Sequence, residues 1–186
     1  ICILFSKRIT VDASMQIFEI PGRCLSIKFP VHDNFLILCG IYSPAQKNQR
    51  DAFFDNVLEK FNASIDISDI IFVGDFNFVE NPKIDRYPDL GRKCVTEAGF
   101  KKFSEIKHNF SLEDPFRHAN PSQQIYTFRS HYKTLSRIDR CYISTSILDS
   151  FCAIESLIIP DFQHRLLISR FKFGDIKIGP SYWKMN

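Results

Sequence analysis

The sequence predicts a mixed α/β domain, and three observations predict it. Two runs, Phe35–Cys39 and Ile70–Val73, are apolar at every position and bounded by turn residues, as central strands covered on both faces are. Between them Phe53, Phe54, Val57, Leu58 and Phe61 recur at helical spacing with charges in the gaps. No repeat, linker or low-complexity segment divides the chain, so residues 1–186 are expected to form one domain. Strands buried on both faces need a helix layer on one side and a second sheet on the other, which predicts a layered sandwich.

Composition agrees with a globular fold. Apolar residues make up 45% and charged residues 24%, which excludes a disordered segment, a collagen-like fibre and a coiled coil. No apolar stretch is long enough to cross a bilayer. Phenylalanine is the outlier, with 19 copies against one tryptophan, and such side chains suit a layered interior. The net charge of +3 permits a polyanionic partner without arguing for one. The cysteines (Cys2, Cys24, Cys39, Cys94, Cys141, Cys152) show no zinc-type spacing, and most lie in apolar runs, which fits a reducing intracellular compartment. Asn62-Ala63-Ser64 and Asn109-Phe110-Ser111 match the glycosylation triplet, a pattern short enough to arise by chance.

Taken in order, Ile1–Phe5 reads as a buried strand, and a chain opening on it without a basic leader is expected to start inside a domain. Strands follow at Gln16–Ile20, Cys24–Phe29 and Phe35–Tyr42, separated by Pro21-Gly22 and Pro30 to Asn34 and closed by Ser43-Pro44. A helix is expected over Gln49–Asn62, a strand at Ile70–Val73, and a second helix over Thr96–Lys107 from Phe100, Phe103 and Ile106. The rest reads as strands at Ile125–Arg129, Arg137–Ser144, Cys152–Ile159 and Leu166–Phe173.

The sharpest chemical feature is Ile71-Phe72-Val73-Gly74-Asp75-Phe76-Asn77. A strand would deliver Asp75 and Asn77 to one face of the sheet, two residues apart, while Gly74 lets backbone or ligand approach closely. An acid beside an amide can handle a proton and hold a phosphate oxygen together. A polar turn after a strand has the same composition, so the motif gains weight only from its context. Upstream stands Gly40-Ile41-Tyr42-Ser43-Pro44; downstream stand Ser136-Arg137-Ile138-Asp139-Arg140 and Asp161-Phe162-Gln163-His164-Arg165.

This ordered set resembles the endonuclease/exonuclease/phosphatase superfamily, whose fold is the DNase I-like four-layer α/β sandwich of two mixed sheets flanked by helices. Within it, several segments are similar to the endonuclease domain of non-LTR (LINE-type) retrotransposons: Asn81-Pro82-Lys83-Ile84-Asp85-Arg86, Asp114-Pro115-Phe116-Arg117 with Asn120-Pro121, Tyr126-Thr127-Phe128, and the closing Gly179 to Asn186 with Trp183. The resemblance implies nicking of DNA phosphodiester bonds with Mg²⁺ or Mn²⁺. It implies His164 as the base, Asp75 near the leaving-group oxygen, Asn77 on the scissile phosphate, Tyr42 in contact with that phosphate, and Asp139 in the same acidic cluster. Hydroxide attack on a phosphodiester needs a base, a cation and fixed donors, so the chemistry agrees. The resemblance further implies a monomeric, nuclear, membrane-free domain fused to a reverse transcriptase.

Arg129, Lys133 and Arg137, with Tyr132 among them, read as a basic hairpin for a DNA groove, and as a solvated turn about equally well. Two departures predict impaired cleavage. The family's Ser-Asp-His stands here as Phe162-Gln163-His164, and Gln163 cannot supply the charge of an orienting acid. The family's metal-binding Glu and early Asn lie on strands before the equivalent of Ile1, leaving Asp75 as a candidate metal ligand and the N-terminal part of the domain missing. Within the same reading, a non-catalytic nucleic-acid-binding relic and a phosphatase are the alternatives.

Overall fold

A computed structural model describes residues 1–6, 12–31, 34–64, 69–88 and 97–173. Strands β1 (Gln16–Ile20), β2 (Cys24–Val31) and β3 (Asn34–Tyr42) form an antiparallel meander. Helix α1 (Lys47–Ser64) then crosses over to β4 (Asp69–Asp75), which lies parallel to β3. Next come α2 (Pro82–Asp85), β5 (Arg86–Tyr87), α3 (Phe100–Asn109), β6 (Leu112–Glu113) and α4 (Pro115–Ala119). The chain continues through β7 (Phe128–Arg129), β8 (Leu135–Ser136), β9 (Asp139–Ser144), β10 (Phe151–Leu157) and β11 (Leu166–Phe171). The main sheet has the order β1-β2-β3-β4-β9-β6; β10-β11 and β5-β8-β7 form two small sheets.

Alternation along the central strands sorts their side chains between two cores. Ile70, Phe72 and Tyr142 face α1 and α3, where they meet Phe54, Val57, Phe61, Phe76, Phe78, Phe103 and Ile106. Full burial of such a side chain contributes about 1.5–3 kcal/mol, more than helix propensity supplies, so packing holds this layer. The rings pack in edge-on and tilted pairs, Phe72 edge-on against Phe103 at 5.9 Å and Phe76 edge-on against Tyr142 at 5.0 Å. Leu36, Ile71, Cys141 and Ile143 face the other way, onto Phe151, Ile154 and Phe171 of β10-β11. The result is helices on the main sheet and the main sheet on the small one, three layers among the described residues.

The structure revises several sequence readings. Residues 1–6 lie outside any strand and Leu4 is exposed, because no described strand pairs with them, although Phe5 packs on Phe29. The second helix begins at Phe100, and Thr96, Cys94 and the Gly179–Asn186 tail lie outside the described residues. The expected strand at Ile125–Arg129 shrinks to two residues. Although the cysteines are scattered in sequence, Cys24 and Cys39 meet with their sulfurs 3.4 Å apart across β2 and β3.

The Asn81-Pro82 and Asp114-Pro115 pairs prove to be helix starts. Asn81 accepts a hydrogen bond from the Lys83 N–H and Asp114 from the Arg117 N–H, with proline in the first turn. Asp114 also belongs to a buried ion cluster. Arg137 reaches it at 2.7 Å and Arg140 at 3.1 Å, while Arg140 and Arg117 reach Asp85 at 2.8 and 2.6 Å. The cluster ties α2, α4 and the start of β9 together.

Candidate active site

Three neighbouring strands end in a row. Tyr42 of β3 is the register partner of Asp75 in β4, and Asp75 is the partner of Asp139, the first residue of β9. Gly74 makes the row possible. Its φ is +141°, and a Cβ there would sit 2.0 Å from the Ile41 carbonyl oxygen. The close approach that Gly74 permits is therefore one of backbone to backbone.

Asn77 reaches the site by a route that strand alternation does not describe. β4 ends at Asp75, and Asn77 adopts the left-handed conformation at φ +54°, which asparagine tolerates better than most residues. Its N–H donates to Asp75 Oδ1 at 2.8 Å, and its Nδ2 donates to Asp75 Oδ2 at 3.1 Å and to the Ser43 carbonyl at 2.7 Å. The two side chains are joined by a turn rather than by a shared sheet face.

His164 comes from the loop between β10 and β11, on the other sheet. Its Nδ1 lies 3.1 Å from both carboxylate oxygens of Asp139. The carboxylate that faces the imidazole is therefore that of Asp139. Gln163 is not the partner of His164 Nδ1; its backbone carbonyl accepts the Arg129 N–H at 2.8 Å. The bond to Asp139 raises the His164 pKa above its ordinary value.

Asp75, Asp139 and His164 each offer a ligand atom within 4.8 Å of the others. Burial, then the charge of Asp139, pushes the Asp75 carboxyl up to about 6. Two crowded carboxylates beside an imidazole make a donor set that fits a hard divalent cation. Tyr42 stands beside them by register, 45% exposed, with the Arg23 guanidinium 4.8 Å above its ring.

Several residues that the sequence reading passed over hold this arrangement. Thr127 Oγ1 accepts the Ile138 and Asp139 N–H groups at 3.2 and 3.0 Å, and its carbonyl accepts the Arg165 N–H at 2.7 Å. Phe128 packs its ring 4.8 Å from that of His164. Arg50, buried on α1, donates to the Pro44 and Ala45 carbonyls and so fixes the loop that receives Asn77. Only Tyr126-Thr127-Phe128 signalled any of this in the sequence, as a segment of the resemblance.

The basic hairpin divides. Arg129 and Lys133 are exposed on β7 and at the β7–β8 turn. Arg137 is not available to DNA: it is 1% exposed and paired with Asp114. An arginine that neutralises a buried aspartate is held in place by the desolvation cost of leaving that aspartate alone.

No protein-family profile matches the chain. A transposon TX1 protein of 149 kDa from Xenopus laevis is 25% identical over 187 residues, covering 98% of this chain. The chain spans 14% of the length of that relative. Among solved structures, an AP endonuclease from Archaeoglobus fulgidus superposes with a TM-score of 0.67 at 17% identity, over 81% of this chain and 65% of the other. A 3′ phosphatase from Neisseria, bound to a product DNA hairpin, gives 0.63 at 14% identity, over 81% and 65%.

Proposed function

We propose that this chain, a DNase I-like domain of the endonuclease/exonuclease/phosphatase superfamily related to retrotransposon endonucleases, nicks DNA with the help of a divalent cation. The Asp139–His164 pair facing Asp75 and Asn77 carries the proposal. With Nδ1 committed to Asp139, His164 keeps Nε2 for the proton of an attacking water, and Asp139 stabilises the imidazolium that results. Asn77 has a donor to give: a phosphate oxygen can take over the Nδ2 bond that now goes to Asp75. Asp75, with Asp139 beside it, would hold the cation, which supplies charge neutralisation at the phosphate. Arg129 and Lys133 flank this site as cations for the DNA backbone. The Neisseria neighbour bound to a product DNA hairpin supports DNA as the substrate, and the 149 kDa transposon relative supports a larger polypeptide; a nuclear setting and a reverse transcriptase in that polypeptide are part of the proposal.

A plasmid-nicking assay with Mg²⁺ or Mn²⁺ tests the reading. The protein is expected to convert supercoiled to open-circular DNA, and His164→Ala to slow this by a factor on the order of 10²–10⁴. Nicking with neither cation, or nicking indifferent to His164→Ala, would overturn it.

A further inference from the structure

The loop that carries His164 also carries exposed apolar side chains beside the site. Phe162, two residues before the histidine, is 72% exposed, and Ile158 is 73% exposed. The turn beneath Phe162 is fixed. Its N–H donates to the Ile159 carbonyl at 3.3 Å, Asp161 holds φ +66°, and the Gln163 carbonyl is tied to the Arg129 N–H. A large ring left in water on a pinned turn contributes little to the core, which turns attention to a ligand.

The charges around it narrow the ligand. Arg129 and Lys133 stand on the hairpin bonded to this loop, Arg165 follows the histidine, and Tyr132 is 94% exposed at the hairpin tip. Asp161 is the one acid within residues 129–133 and 158–165. An aromatic platform in a cationic rim is the combination that binds unpaired nucleic acid: the cations follow the phosphates, and the ring stacks on a base of any identity. An apolar protein surface would gain nothing from that rim.

We propose that Phe162 is a stacking platform for one unpaired base next to the scissile phosphate. This rests on the nuclease reading and adds a preference to it. The protein favours DNA that is already unstacked, such as a bulge, a mismatch or a flexible pyrimidine–purine step.

Binding measured by fluorescence anisotropy in EDTA tests the platform apart from catalysis. The probes are a labelled single strand, its matched duplex, and the same duplex with one bulged thymine. Phe162→Ser is expected to weaken single-strand and bulge binding about tenfold and matched-duplex binding less than about twofold, with Phe162→Trp restoring both losses. An equal loss on all three probes, or no loss, overturns the platform while leaving the nuclease reading in place. A wild-type protein that binds none of them overturns the platform, and the nicking assay decides the nuclease reading separately. Size-exclusion chromatography covers the remaining occupant: if wild type self-associates and Phe162→Ser does not, the face is a protein interface and the platform is overturned.

Discussion

Asp75 carries the electrostatic cost of the site. Its carboxyl titrates near 6 in the fold, because it is buried and because Asp139 faces it, against about 3.9 in an unfolded chain. The folded state therefore holds the Asp75 proton more tightly than the unfolded state does. Its contribution to stability is fully present below about pH 4 and is lost as the pH rises to about 6. Asp75→Asn keeps the shape and removes the charge. In EDTA at pH 8 the variant is expected to be more stable than wild type by roughly 1–2 kcal/mol, after discounting the shift for partial solvent exposure. The difference should vanish near pH 4, and thermal melts at the two pH values check it; a lower melting temperature at pH 8 would remove the argument. Gly74, Asp75 and Asn77 are legible in the sequence as a unit. The pairing of Asp139 with His164 is not, because spacing shows which side chains leave a strand end and says nothing of which acid a histidine meets on another sheet.

At the scale of elements, the long strands and α1 are readable because apolar periodicity needs several residues to declare itself. β5, β6, β7 and β8 have two residues each, and nothing that short has a period. Their positions come from contacts instead, and the clearest case is the segment around Thr127. Its hydroxyl accepts the N–H groups of Ile138 and Asp139 where β9 begins, and its carbonyl holds the residue after His164. Thr127→Val keeps the volume but leaves two buried N–H groups without an acceptor, at a cost of about 1–3 kcal/mol. It is also expected to lower the pKa of His164 toward its ordinary value as Asp139 loosens, whereas Thr127→Ser keeps both properties. Urea denaturation gives the first number and an NMR titration of the imidazole gives the second; an unchanged titration in Thr127→Val would show that Asp139 is held by other means.

For the whole molecule, the buried ion cluster sets the acid limit. Burial pushes the Asp114 carboxyl up, but Arg137 and then Arg140 outweigh it and hold the carboxyl below its usual range. With the folded pKa depressed, its stabilisation is present above about pH 4 and is lost as the pH falls through the folded pKa. Asp114→Asn leaves two buried guanidinium groups short of a counter-charge and is expected to cost about 3–5 kcal/mol at pH 7, with a shallower loss on acidification. Urea titrations at pH 7 and pH 4 check both; an unaffected pH 7 midpoint would move the acid limit elsewhere. The sequence shows these residues as local motifs, but their burial follows from the convergence of α2, α4 and β9, which no local pattern encodes.

The acid and the base of the proposed reaction belong to different layers. Asp139 begins a strand of the main sheet, and His164 hangs from the loop of the small one. Neither sheet alone carries the pair, and what unites them is the apolar seam of Ile71, Cys141 and Ile143 against Phe151 and Phe171, together with the backbone bonds from Thr127 and Arg129 to the loop of His164. A polypeptide still emerging from the ribosome, or one whose layers have come apart, is then a disarmed polypeptide. For a protein proposed to nick DNA, the order of assembly works as a safety catch, released only when the layers close.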